Sequence, residues 1–266
     1  MTLGVIYDLI NYIVGKEWVG GTFTIPQLNN LLPMAQYDLL NAELEKVDAG
    51  ELTPISGAVV GKSPLRPFYK SADLSIDIYG FATLPTDYLR WAGITTSDLR
   101  AIEVVSHQMF AERQSNVLRR ADINPFGVFA NNEFCVVPYD LAPAVFTSSL
   151  PTIKMWYLRT PATPYYDYCQ DSTTLEQIYM PVGSYITLVS GKNVLYDVNG
   201  IVLNGDVVKS NMTVLPYTSK SIELDWDANM HVDIIRRVLD KVGVNLQEPA
   251  ITNYALALEG ETPNKR

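Results

Sequence analysis

Apolar positions along the chain change period twice. Ile6, Leu9, Ile10 and Ile13 recur at helical spacing with Gly15 as a stop, and Gly20-Gly21 then interrupts the chain. Thr24 is placed to cap a helix that carries Pro26 in its first turn, where a missing N–H does little harm. Pro33 is expected to end that short helix and begin another, whose stripe would be Tyr37, Leu40, Leu44 and Val47. From Gly50 the spacing turns irregular. Pro54, Gly57, Gly61, Pro64 and Pro67 are too dense for a helix. Alternation over 74–78 reads as a strand, 84–91 as an extended lead-in to one helical turn, 101–106 as a strand and 107–118 as a helix.

Short β-branched or aromatic runs follow at 134–137, 153–158, 185–189, 194–198 and 201–203. Asn199-Gly200 between the last two predicts a two-residue type I′ hairpin, which needs positive φ at both positions, and Asn204-Gly205-Asp206 repeats the turn chemistry. Ile222 and Leu224 alternate as a last strand. Asp225 or Asp227 would cap a helix whose apolar face is Ile234, Ile235, Val238, Leu239 and Val242, with Gly243 as its stop. A further helix is read over 248–258, starting with Pro249. The expected fold class is α+β: N- and C-terminal helices packed as a small bundle, with a central antiparallel β-domain carrying a hairpin insertion. Residues 1–50 and 226–260 form the helical part, 51–225 the β-rich part with the inserted region 170–216, and 261–266 a disordered tail.

Composition narrows the function classes. The net charge is −9 from 20 basic and 29 acidic residues, with no basic run to neutralise phosphates, which argues against stable DNA binding. Charged residues make up only 18% while there are 16 tyrosines, a balance that suits rings packed between subunits as well as ordinary β-structure. The first residues lack a basic, apolar and cleavable pattern, so no secretory signal is read, and no apolar run is long enough for a membrane span. Cys135 and Cys169 are too few for a disulfide framework.

Catalytic constellations fail one at a time. Gly57 to Ser63 is one residue short of a phosphate loop, and Pro64 stands where the following helix should run on. His107 and His231 are the only histidines, neither at metal spacing, so a histidine metal site or a Ser–His–Asp triad has little to draw on. Asp225 with Asp227, and Glu43 with Glu45, are two apart and read as caps and surface rather than as acid–base pairs. Cys135 lies in an apolar strand, Cys169 has no cation beside it, and Asp197-Val198-Asn199-Gly200 lacks the acidic ladder of a calcium loop. No enzyme activity and no cofactor are expected.

Four stretches carry a family likeness through their order and spacing. They are Leu84-Pro85-Thr86-Asp87-Tyr88-Leu89-Arg90; Val105-Ser106-His107-Gln108 leading to Glu112-Arg113-Gln114-Ser115-Asn116; Tyr157-Leu158-Arg159-Thr160-Pro161 with Thr163-Pro164; and Ser221-Ile222-Glu223-Leu224-Asp225-Trp226 running on to Gly243-Val244-Asn245-Leu246-Gln247-Glu248-Pro249. With these, roughly residues 80 to 258 resemble the neck or ring structural proteins of crAss-like phages and, more distantly, the tail adaptors of short-tailed phages. Residues 170–216 read as an insertion relative to that pattern. The resemblance implies a virion protein assembled in the host cytoplasm: a head-to-tail connector subunit in a closed ring of twelve copies next to the portal and further neck or tail proteins. DNA would pass through the channel without specific binding, and no membrane is involved. The residues expected at a protein interface are Tyr196, Val198, Asn199, Gly200 and Val202. The alternative from another class is a tail-associated β-rich module binding carbohydrate or a receptor through Trp156, Tyr157, Tyr165, Tyr166 and Tyr168.

Overall fold

The computed structural model describes residues 1–17, 23–48, 63–77, 79–97, 99–115, 125–137, 152–209 and 214–243. The chain is mixed α+β, and it divides into two compact units: residues 1–51 with 162–266, and residues 52–161. The sequence reading grouped 162–225 with the preceding β-structure, whereas here that stretch clusters with the helices.

In the first unit, α1 (Leu3–Glu17) and α2 (Ile25–Asp48) precede the β-structure, and α4 (His231–Val242) follows it and packs on α2. The Thr24 N–H and hydroxyl both donate to Gln27 Oε1, at 2.9 and 3.0 Å, half of a capping box. Pro33 does not divide α2, which runs through it as one helix. Its missing hydrogen bond and ring clash cost about 3 kcal/mol. Leu28 and Leu32 before it and Leu39 and Leu40 after it are all buried, and each contributes roughly 1.5–3 kcal/mol, so burial wins. The buried stripe also differs from the expected one. Ala35, Gln36, Leu39, Leu40 and Glu43 face inward, Tyr37 is exposed, and Leu44 and Val47 are half-buried.

Helix α4 buries Ile234, Ile235, Val238 and Leu239, and ends at Gly243 with φ 86°, the left-handed cap that glycine adopts without strain. Neither aspartate caps it. Asp225 accepts the Ala162 N–H at 2.8 Å, and Asp227 precedes a 3-10 turn, Ala228–Met230, without a side-chain bond to it. Ile222 makes only an isolated bridge to Tyr165 and no strand. Among the described residues this unit also holds seven short strands: β8 (Tyr168–Asp171), β9 (Gln177–Tyr179), β10 (Tyr185–Val189), β11 (Lys192–Tyr196), β12 (Val202–Asn204), β13 (Val207–Val208) and β14 (Tyr217–Thr218). They form sheets of order β13-β8-β9 and β12-β11-β10-β14, closed over Cys169, Met180, Ile186, Leu195 and Val207.

The second unit holds β1 (Tyr69–Ser75), β2 (Phe81–Thr83), β3 (Tyr88–Thr96), β4 (Glu103–Val104), β5 (Phe126–Ala130), β6 (Glu133–Val137) and β7 (Thr152–Arg159). Sheets β1-β7-β3 and β2-β6-β5-β4 share a core that includes Ile76, Leu84, Ile94, Phe134, Val136 and Met155. The stretch expected to give a helical turn at 84–91 instead enters β3. A turn from Pro85 to Tyr88 leads in, and pairing with β7 then holds the extended form. Asp87 locks the start of β3 by accepting from Lys70 Nζ on β1 at 2.7 Å and from the Tyr157 hydroxyl on β7 at 2.8 Å. The expected strand at 101–106 shrinks to two residues parallel to β5. Between them α3 (His107–Ser115) sets Phe110 edge-on to Phe126 at 5.6 Å. The expected helix at 248–258, the tail 261–266 and Gly57 to Lys62 lie outside the described residues. Ser63 leads into a 3-10 turn, Arg66–Phe68, rather than an α-helix.

Candidate interaction surface

The hairpin of β11 and β12 carries the residues expected at an interface, and its turn differs from the expected form. Of the pair Asn199-Gly200, only Gly200 has positive φ (82°). The Gly200 N–H donates to the Asp197 carbonyl at 3.1 Å, and the Asp197 N–H to the Ile201 carbonyl at 2.8 Å. This is a three-residue loop with glycine in the left-handed position, not a two-residue type I′ turn. Asp197 is the cause. Its Oδ1 accepts the N–H groups of Asn199 at 2.9 Å and Ile201 at 2.7 Å, which fixes the longer loop and holds its carboxyl below the usual carboxylate range. Positive φ at two successive residues occurs at Ser190 (50°) and Gly191 (80°), between β10 and β11.

Tyr196 ends β11 and stacks on Tyr185 of β10, with ring centroids 5.4 Å apart and planes at 13°. At the tip Val198 lies over Gly183, whose own φ is 79°, while Gly200 sits beside the Tyr185 hydroxyl. Beyond the loop, Ile201, Val202 and Leu203 are 62%, 54% and 47% exposed, and Val198 is 68% exposed. Among the described residues β12 is an edge strand, and its register slips against Leu195 and Tyr196, so Leu203 is the extra residue of a bulge. Four exposed apolar side chains thus sit on one rigid hairpin. Val198 and Val202 are the expected contact residues, and the structure adds Ile201 and Leu203 to them. The missed signal was three consecutive apolar residues directly after a turn.

The same unit holds an open cleft of about 760 Å³, lined in part by Asn30 of α2 and by Tyr165, Asp167, Tyr168, Lys209, Tyr217 and Lys220. Asp167 is buried. Its carboxylate takes Lys209 Nζ, the Tyr217 hydroxyl at 3.0 Å and the Lys220 N–H at 3.0 Å, and its own N–H donates to Ser221 Oγ at 3.0 Å. Burial and the Asp167 carboxylate push the Tyr217 hydroxyl up to about 12, so it remains a donor at neutral pH. The Asp167 carboxylate is thus engaged from three sides, and the network ties the segments around β8, β13 and β14 together. Nothing in the sequence pattern joined these residues, because they lie far apart along the chain.

His231 is buried with Nε2 3.0 Å from the Trp226 carbonyl, and burial lowers its pKa. His107 is exposed on α3. Cys135 and Cys169 are free, and burial raises both thiols, Cys169 to about 11, so neither is an activated nucleophile. Glu43 is buried and pairs with Lys46 at 2.6 Å. Of the aromatics considered for sugar stacking, Tyr157 and Tyr166 are buried, Trp156 is half-buried beneath Lys154, and Tyr165 and Tyr168 open on the cleft. Among the described residues no group of three His, Cys, Asp or Glu side chains could hold a metal ion, and no helix is long and apolar enough to cross a membrane. No protein-family model matches the chain, and no curated protein matches it.

Proposed function

We propose that this chain is a virion structural protein, a head-to-tail connector subunit that joins copies of itself into a ring of twelve around the DNA channel next to the portal. The observation that carries the reading is the hairpin from Val198 to Leu203, four exposed apolar side chains held on a loop braced by Asp197. Such a surface is costly on a free monomer and useful where another polypeptide covers it. The resemblance of the ordered stretches between residues 80 and 258 to phage neck proteins supports the same reading. So does the charge of −9, since a channel wall of that sign does not hold passing DNA. In this reading the terminal helices form a bundle beside a central β-domain, the inserted region 170–216 supplies the contact, and neither catalysis nor a cofactor is involved. Deleting residues 192–207 from the phage gene and scoring particles tests it. Tailless or unstable particles are expected, and normal virions would refute it.

A second reading, a tail-associated module binding carbohydrate or a receptor, is favoured by one observation: Tyr165 and Tyr168 line an open cleft. A glycan array without hits removes its carbohydrate form.

A further inference from the structure

The exposed face of α2 includes a strip of low net charge: Met34, Tyr37 and Asn41 are exposed and uncharged, and Asp38 beside Met34 and Tyr37 is paired with Lys241 at 2.6 Å. Outward helix faces ordinarily present more charged side chains. Met34 is 54% and Tyr37 38% exposed, and three residues apart on a helix they are neighbours. The hairpin edge is likewise close to neutral. Between residues 182 and 209 the chain has two lysines and two aspartates; Lys192 pairs with Asp206 at 3.3 Å, Lys209 pairs with Asp167, and Asp197 is spent on its own loop. In a chain of net charge −9, these are two surfaces of low net charge and different shape, one a sheet edge and the other a helix face.

We propose that the two surfaces are the halves of one heterologous contact between copies of this chain, in which the β11–β12 hairpin of one copy seats on Met34 and Tyr37 of the next. A second copy is the partner that charge favours: two molecules at −9 repel wherever their acidic surfaces meet, and at these two patches, where Lys241 offsets Asp38 and Lys192 offsets Asp206, they approach with less opposed like charge. The contact is made by side chains rather than by adding a strand. The bulge at Leu203 breaks the regular edge that strand addition requires and re-aims its side chain, while Val202 and Ile201 remain apolar and exposed. Because the two surfaces differ, the contact repeats head to tail, which closes a ring when the rotation between copies closes. The inference rests on the connector reading for the ring alone; the pairing of hairpin with helix face stands by itself.

Native mass spectrometry and sedimentation of the full chain test it through complementation. The wild-type chain is expected to self-associate. Val202→Lys with Leu203→Lys disables the hairpin, Met34→Lys with Tyr37→Lys disables the helix face, and each double variant alone is expected to be monomeric. An equal mixture of the two retains one intact contact and is expected to give a one-to-one dimer that grows no further. All four residues are exposed, so circular dichroism and melting should match wild type. Should a lysine variant melt early, threonine at 202 and 203 or glutamine at 34 and 37 replaces it with the same expectation, and threonine also keeps the backbone able to pair. A monomeric wild-type chain, a double variant that still associates, or a mixture that stays monomeric overturns the proposal. Complementation by a protein that is never recovered in particles would refute the connector reading and leave this contact standing. Particles that assemble normally with the double variants would refute the contact alone.

Discussion

At the scale of single residues, close approach and burial set the strongest constraints. Gly127 on β5 pairs with Val136 of β6 and lies against the ring of Phe134. A Cβ there would lie 2.2 Å from Phe134 Cζ and 2.7 Å from the Cys135 carbonyl oxygen, and that oxygen belongs to backbone that cannot step aside. Gly127→Ala is therefore expected to cost at least the 1–3 kcal/mol typical of overpacking, read as a lower denaturant midpoint. Gly205→Ala is the control: nothing lies within 4 Å of its Cβ position and its φ is not positive, so a change of at most about 0.5 kcal/mol is expected. His231 makes stability depend on pH. Burial lowers its pKa below 6.5, against the opposing pull of the Trp226 carbonyl, Glu223 and Asp227, and the chain's amino terminus adds to the lowering. With Nε2 on the Trp226 carbonyl, Nδ1 is buried without a partner, so a second proton has no acceptor. As pH falls below 6.5 the unfolded chain takes up the proton first. The contribution of the neutral imidazole is thus complete above pH 6.5 and is lost as pH falls toward the lower, folded value. His231→Gln should flatten the slope of stability against pH in that window, and an unchanged slope would assign the acid sensitivity to other groups.

At the scale of elements, α2 shows where local rules yield to packing. Proline inside a helix costs about 3 kcal/mol, yet the leucines on either side of Pro33 are buried and the helix continues. Pro33→Ala restores the missing backbone donor without removing any of that burial, and is expected to raise stability by about 1–3 kcal/mol, measured as a higher melting temperature. A lower one would show that the proline's own geometry is needed for the packing on α4. The same contest explains how much of the fold was legible beforehand. The period of Ile6, Leu9 and Ile10, the face of α4 and the stop at Gly243 were legible, because each is set by residues within a few positions. The strand at Tyr88 was not, since its partners on β7, from Arg159 opposite Tyr88 to Ile153 opposite Thr96, lie far along the chain. The loop at Asn199-Gly200 was misassigned because the dipeptide alone does not decide the turn: Asp197 does, by accepting two backbone N–H groups. For the candidate surface, the hairpin could be read from the chain, while its exposure and that of Met34 and Tyr37 on α2 required knowing which faces the core had already claimed.

At the scale of the whole molecule, charge and apolar surface act against each other in association, and salt separates them. Two copies at −9 repel over distances set by the Debye length, about 10 Å at 0.1 M salt. A contact through Val198, Ile201, Val202 and Leu203 has no ion pair for salt to weaken, so raising ionic strength screens the repulsion and leaves the attraction in place. Self-association of the wild-type chain is thus expected to tighten as salt rises from about 0.05 to 0.5 M, the direction opposite to that of a protein held on nucleic acid by phosphate contacts. Sedimentation equilibrium over that range measures it. Association that weakens with salt would mean that ionic pairs hold the copies together, and would move the contact to the charged groove between α2 and α4, where Glu43, Lys46, Asp233, Arg236, Arg237 and Asp240 meet. The sign of that single slope therefore decides which of two surfaces on one molecule brings its copies together.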